Sequence, residues 1–212
     1  MKENYQLWLD HTLDSLSRQN RHPRLLLHSC CAPCSSYVLE YLCTFFDITL
    51  LFYNPNISPE HEFQFRKEEL ARLLEEMPLA GRKIELIEGT YSPQEFLAIA
   101  QGHEKEAEGG VRCFACYRLR LEYTARYAQE HHFDFFTTTL SISPYKNAAK
   151  LNEIGSELAE KYGVPYLFSD FKKKNGYKRS CILSSKYHLY RQDYCGCVFS
   201  RAEAEKRKKM QK

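Results

Sequence analysis

Apolar positions along this chain follow two alternating rhythms, one of helical spacing and one of short continuous runs. In residues 4–18, Tyr5, Leu9, Leu13 and Leu16 recur at helical spacing. After Pro23, the run Arg24-Leu25-Leu26-Leu27-His28 predicts a buried strand. Ser35 to Phe46 reads as a helix. Asp47 to Tyr53 reads as a second strand, stopped by Asn54-Pro55-Asn56. Glu60 to Glu76 is amphipathic, with Phe63, Leu70, Leu73 and Leu74 on one side. Ile84 to Ile87 predicts a third strand, and Ser92-Pro93 a helix start. Residues 101–112 carry Gly102, Gly109 and Gly110 among charges and show no period, which predicts a mobile loop. A long helix follows from Cys113 to His132, then a fourth strand, Phe133 to Thr137. A helix from Ala148 to Tyr162 and a fifth strand, Pro165 to Phe168, complete the series.

This alternation predicts an α/β fold, a mainly parallel sheet flanked by helices. A chain of 212 residues suits a single domain, here residues 1–200, with a flexible basic tail at 201–212. In such sheets ligands sit beyond the C-terminal ends of the strands. The segments that follow strands one, four and five are therefore the ones to search for chemistry.

Composition narrows the classes. No stretch approaches the roughly 18 apolar residues of a membrane span. The first 24 residues include Glu3, Asp10 and Asp14 and do not read as a signal peptide. The expectation is a cytoplasmic protein with no membrane partner. Nine cysteines in a reducing compartment favour metal or redox use over a disulfide framework.

The net charge of +3 is uneven. Residues 201–212 hold six basic and two acidic side chains, +4 in all. Residues 172–191 hold seven basic residues, with Tyr177, Tyr187 and Tyr190 interleaved. Basic residues mixed with aromatics suit RNA, whose phosphates need charge and whose unpaired bases need flat faces. A solvated face explains the same composition.

Seven of the nine cysteines are clustered: Cys30, Cys31 and Cys34 after strand one, Cys113 and Cys116 at a helix start, and Cys195 and Cys197 around a glycine. Neighbouring thiols bridge one another poorly but converge readily on a metal. Seven sulfurs exceed the four that a zinc ion or a single 4Fe-4S cluster requires. Either some are spare or there are two centres. Cys43 and Cys181 stand alone and fit small core residues. Two other readings stay open: a zinc-stabilised RNA-binding module without catalysis, and a thiol–disulfide oxidoreductase using Cys113 and Cys116.

Several segments carry a family resemblance. They are H-S-C-C-A-P-C at 28–34, F-Y-N-P-N-I-S-P from 52, R-C-F-A-C-Y-R-L-R-L at 112–121, T-T-T-L-S-I-S-P-Y-K-N at 137–147, S-D-F-K-K-K-N-G-Y at 169–177 and Y-C-G-C at 194–197. Together they resemble the QueH-type epoxyqueuosine reductases, over residues 24 to 200. The resemblance implies an adenine-nucleotide α-hydrolase-like (Rossmann-like) fold. It implies reduction of epoxyqueuosine to queuosine at the wobble position of tRNA. It also implies a 4Fe-4S cluster beside a single metal ion, iron by expectation, fed by a low-potential electron donor. That fold commonly carries a glycine-rich phosphate loop after strand one. Here Ser29-Cys30-Cys31-Ala32-Pro33 has no glycine, which argues against ATP at that position.

The roles expected on this basis are these. Cys30, Cys31, Cys113 and Cys116 hold the cluster, and Cys34, Cys195 and Cys197 hold the single ion; the alternatives are that Cys31 and Cys34 exchange roles or that one sulfur bridges both centres. Asp170, Tyr145, Tyr194 and His28 are candidate proton donors by position, although His28 also fits a packed histidine at a strand end. Arg112, Arg118, Lys146, Lys172, Lys173 and Lys174 would meet tRNA phosphates, and Tyr53 or Tyr177 would stack on a base.

Overall fold

A computed structural model describes residues 3–210. Four strands form one all-parallel sheet: β1 (Arg24–His28), β2 (Asp47–Phe52), β3 (Glu85–Glu88) and β4 (Phe135–Thr138), in the spatial order β3-β2-β1-β4. Among the described residues eight α-helices and one short 3-10 helix (Thr139–Ile142) accompany them: α1 (Tyr5–Arg18), α2 (Ala32–Leu42), α3 (Glu60–Glu76), α4 (Pro93–Ala100), α5 (Val111–Glu130), α6 (Ala148–Tyr162), α7 (Gly176–Lys186) and α8 (Val198–Met210). The fold is a single α/β domain with helices on both faces of the sheet, consistent with the Rossmann-like class.

Strand side chains alternate between faces, and the alternation sorts the core into two layers. Leu25 and Leu27 of β1 join Ile48, Leu50 and Phe52 of β2 against α1, α2 and α3. Leu26 and Leu51 turn the other way, against Tyr117, Leu121, Leu151 and Ile154 of α5 and α6. Both faces are covered, which is why the strands read as unbroken apolar runs. Burying each leucine contributes about 1.5–3 kcal/mol.

The chain runs β1 to β2 to β3 in one direction and then returns to place β4 on the other side of β1. Leu25 pairs with both Ile48 and Phe135, and His28 with both Leu51 and Thr138. The strand order therefore reverses between β1 and β4. That reversal opens a crevice at the C-terminal ends of these two strands, the place where open parallel sheets bind ligands.

Two expectations are corrected. The fifth strand is reduced to one isolated bridge, Phe136 to Tyr166. Pro165 brings no N–H to a ladder, although its carbonyl still accepts from Phe136 at 3.1 Å. The second helix begins inside the first cysteine cluster, because Pro33 is preset for a first helical turn. Residues 176–186, within the basic stretch, form α7. Residues 201–210, read from the sequence as a tail, lie in α8.

Candidate metal centre

Ser29 ends the strand ladder by donating to Leu51 O at 2.9 Å. The next two residues lie at the crevice between β1 and β4. Their turn is held on several sides. Asn54 Nδ2 donates to Ser29 O at 2.8 Å, Ser29 Oγ and Ser35 Oγ share a 2.6 Å hydrogen bond, and Ser35 Oγ donates to Cys31 O at 2.9 Å. Cys31 caps α2 in extended geometry, and Cys34 sits in the helix's first turn. The Sγ atoms of Cys30, Cys31 and Cys34 all lie within 4.8 Å of one another. Cys30 and Cys31 are 3.7 Å apart, and Cys30 lies 3.8 Å from Thr139 Oγ1 beyond β4. A tetrahedral ion with bonds of about 2.3 Å to sulfur sets its thiolates roughly 3.8 Å apart, so the spacing suits a shared ion.

The other four clustered cysteines line one pocket. Cys113 and Cys116 come from the start of α5, and Cys195 and Cys197 from the segment before α8. Gly109 N–H donates to Cys113 Sγ at 3.2 Å. Gly196, at φ +119°, makes the bend between Cys195 and Cys197. A Cβ there would come within 3.0 Å of Ile57 and 3.1 Å of Arg66, so the position requires glycine twice over. Cys197 Sγ accepts from Ser200 N at 3.4 Å, at the first turn of α8.

All seven are free thiols, and the structure brings them to one edge of the sheet. They sort in space as a trio and a quartet. Cys34 stands beside Cys30 and Cys31, and Cys113 and Cys116 share a pocket with Cys195 and Cys197. The division expected from the sequence is different.

Buried cations surround the sulfurs. Arg120 is 1% exposed, its Nε donates to Cys116 O at 3.2 Å, and its Nη2 has no hydrogen-bond partner. Among the described residues no carboxylate pairs with it. Arg66 is 2% exposed, pairs with Glu62 at 2.7 Å and donates to Cys195 O at 3.1 Å. Lys146 Nζ reaches Cys195 Sγ at 3.2 Å and Glu108 Oε1 at 3.0 Å. Burial alone would raise the Cys195 pKa, but Lys146 and Arg120 outweigh it and hold the thiol below its ordinary value. Burial pushes Cys116 up to about 12, against the opposing field of Arg120. Within the trio, hydrogen bonds from Cys30 and Cys34 favour the thiolate on Cys31, while Cys30 is pushed up to about 12 by its bond to Cys31.

The remaining expected residues divide. His28 is fully buried; its Nδ1 meets Thr138 Oγ1 at 2.8 Å and its Nε2 meets Tyr53 O at 3.0 Å. Burial lowers its pKa to about 3, which leaves the ring neutral with both nitrogens engaged, the arrangement of a packed histidine at a strand end. Asp170 forms an ion pair with Lys172 at 2.8 Å and does not line the pocket of four cysteines. Tyr145 is 75% exposed, next in sequence to Lys146. Tyr194 lies under the Arg66 guanidinium at 5.2 Å.

Among the expected phosphate ligands, Arg112 and Lys146 are buried and have no open face for a phosphate. Arg112 donates to His103 O and Glu104 O and stacks on Phe199 at 4.4 Å. Arg118 pairs with Glu157, and Lys174 with Asp10 at 2.7 Å. Lys173 is exposed, and no partner holds it among the described residues. Tyr177 is exposed, 5.7 Å from the Arg191 guanidinium. Tyr53 is buried and stacked on Tyr123 at 3.8 Å, so it offers no base-stacking face. Arg66 and Arg120 carry no expected role from the sequence. The spacing of Cys116 and Arg120, one helical turn apart, was the available signal.

Fold and site together define a parallel α/β protein with a thiol-rich, cation-buffered centre at its switch point. A family model described as epoxyqueuosine reductase QueH matches residues 25–203. Epoxyqueuosine reductase QueH of Staphylococcus epidermidis is 42% identical over 202 residues, covering 94% of this chain and 85% of that protein. The Haemophilus influenzae protein of the same name is 40% identical over 195 residues, 91% of this chain and 78% of the relative. That of Thermotoga maritima is 37% identical over 185 residues, 84% and 91%. The chain belongs to the epoxyqueuosine reductase QueH family, a family of oxidoreductases. No helix among the described residues is long and apolar enough to cross a membrane.

Proposed function

We propose that this chain reduces epoxyqueuosine in tRNA to queuosine, with the seven clustered thiols holding a 4Fe-4S cluster and a separate metal ion, iron by preference. The names of its relatives support the reaction. The observation that carries the metal reading is Arg120. A fully buried guanidinium without a carboxylate costs several kcal/mol unless an anion offsets it. The groups that would favour its charge most, once ionised, are the sulfurs of Cys116, Cys195 and Cys30. Thiolates bound to metal are stable anions in such a setting, and the donor set fits both groups.

Cys113 and Cys116 are cluster ligands in this proposal. The division expected from the sequence completes the cluster with Cys30 and Cys31 and leaves Cys34, Cys195 and Cys197 for the ion. The shared pocket of Cys113, Cys116, Cys195 and Cys197 favours the last two in the cluster, and the close trio of Cys30, Cys31 and Cys34 favours the ion. The two divisions differ in what the loss of Cys195 does.

The reaction balances as epoxide plus two electrons and two protons giving the alkene and water. Both carbon–oxygen bonds of the three-membered ring break and the oxygen leaves. A bound cluster would supply electrons singly, and an adjacent ion a Lewis acid for the oxygen. The chain's own residues hold positive charge around the pocket through Arg66, Arg120 and Lys146, which favours an anionic oxygen there. Tyr145, exposed beside Lys146, is the proposed proton donor or stacking face; Asp170 is placed to serve only if it leaves Lys172. Lys173 and Tyr177 belong to the proposed tRNA surface. The anticodon base is already unpaired, so little energy goes into extruding it. A low-potential electron donor and a cytoplasmic setting complete the reading.

Anaerobically purified protein, given a chemical reductant and tRNA carrying epoxyqueuosine, is expected to yield queuosine by nucleoside mass spectrometry. Unchanged epoxyqueuosine with an iron-loaded enzyme would remove this function.

A further inference from the structure

Lys146 occupies an unusual position for a lysine. It follows the turn after β4, is 8% exposed, and points inward rather than to solvent. Its ammonium group has two partners: Cys195 Sγ at 3.2 Å and Glu108 Oε1 at 3.0 Å. Glu108 belongs to the glycine-rich segment 101–110, and its side chain is 21% exposed. The next residue, Gly109, at φ +92°, gives its N–H to Cys113 Sγ. One short segment therefore touches two sulfur groups, one directly and one through Lys146.

We propose that Lys146 is a positioning residue that sets the reduction potential of the centre held by Cys195, with Glu108 as its counterweight. This rests on the reading that the sulfurs hold iron. Adding an electron to an iron–thiolate centre makes it more negative. A cation that hydrogen-bonds a ligating sulfur stabilises that reduced state and raises the potential. Glu108 draws the ammonium toward itself and adds a negative charge behind it, so it acts in the opposite sense. The low-dielectric surroundings keep both effects from being screened away. The pair thus forms a charge couple of opposed sign at one sulfur.

The two ends of the couple predict opposite shifts. Iron and acid-labile sulfide are measured first in anaerobically purified wild type, Lys146→Met, Lys146→Arg and Glu108→Gln. Midpoint potentials are then read by redox titration followed by electron paramagnetic resonance. Lys146→Met is expected to move the potential to more negative values. Glu108→Gln is expected to move it to more positive values, and Lys146→Arg to stay near wild type. A purely structural lysine would give no such opposition of sign. If Lys146→Met loses its iron, Glu108→Gln, which keeps the ammonium, still decides the matter. Iron-loaded variants whose potentials equal the wild type, or shift in the same direction, overturn the proposal. A wild-type protein without iron or sulfide overturns the reading of the centre itself and the inference with it.

Discussion

The side chain of Arg120 folds back along α5 and donates to the carbonyl of Cys116, one helical turn earlier, at 3.2 Å. The bond fixes a guanidinium beside sulfur while one of its nitrogens stays unpartnered. Removing that charge should have opposite effects on the two forms of the protein. Arg120→Met is expected to leave the metal-free protein as stable as wild type, or more so, because an uncompensated buried charge is gone. The same variant should retain less iron after purification. Thermal melts of the apo form, beside iron analysis of the holo form, check both signs. A destabilised apo protein with full iron would contradict the role given to Arg120.

The hydrogen bonds of His28 make a prediction about acid. Folded, its pKa is held near 3 by burial. Unfolded, it returns to about 6.5. Between these values the unfolded chain binds the extra proton, so stability is lost as pH falls. One such group contributes a loss of about 2 kcal/mol between pH 7 and pH 5. His28→Gln should lower stability at pH 7, since Thr138 and Tyr53 lose a well-placed partner, and should flatten this slope. Urea denaturation of the apo protein at the two pH values measures it. An unchanged slope would mean that His28 does not bury a neutral ring.

Much of the fold was legible because buried parallel strands are apolar on both faces. The runs at Leu25–Leu27 and Ile48–Phe52 could hardly be anything else. Pro165 shows the limit: an apolar run beside a proline formed a single bridge, since ladder pairing depends on donors as well as on hydrophobicity. Helices α7 and α8 were missed because their faces are mostly polar. The cysteines were legible as a group, yet their neighbours were not. Lys146 and Arg112 looked like surface charges, and only the folded chain turns them inward. Cys34 joined Cys30 and Cys31 because Pro33 starts α2 earlier than the periodicity suggested.

The ion pairs change what should be expected of the basic stretch. Lys172 and Lys174 are already engaged with Asp170 and Asp10. Lys173 and Lys178 are exposed. Lys173→Ala with Lys178→Ala should weaken tRNA binding and lower the log–log salt slope by about one unit for each lost phosphate contact. Lys172→Ala and Lys174→Ala should do less. Iron content should not move. Binding titrations at several salt concentrations decide, and wild-type affinity and slope in the double variant would place the RNA elsewhere.

Cys195 separates the two divisions of the sulfurs. If it belongs to the ion, Cys195→Ala keeps most of its sulfide and its iron–sulfur absorbance but stops turnover. If it belongs to the cluster, sulfide is lost along with activity. Sulfide analysis distinguishes them. Full activity in this variant would contradict both.

The most direct test of the account is iron and acid-labile sulfide per chain in anaerobically purified wild type and Cys113→Ser, each assayed on epoxyqueuosine-containing tRNA. A four-iron cluster beside one iron ion predicts about four sulfides and about five irons in the wild type. It predicts conversion to queuosine by the wild type, and little sulfide and no conversion by Cys113→Ser. A Cys113→Ser protein that keeps its full sulfide and still forms queuosine would contradict the account.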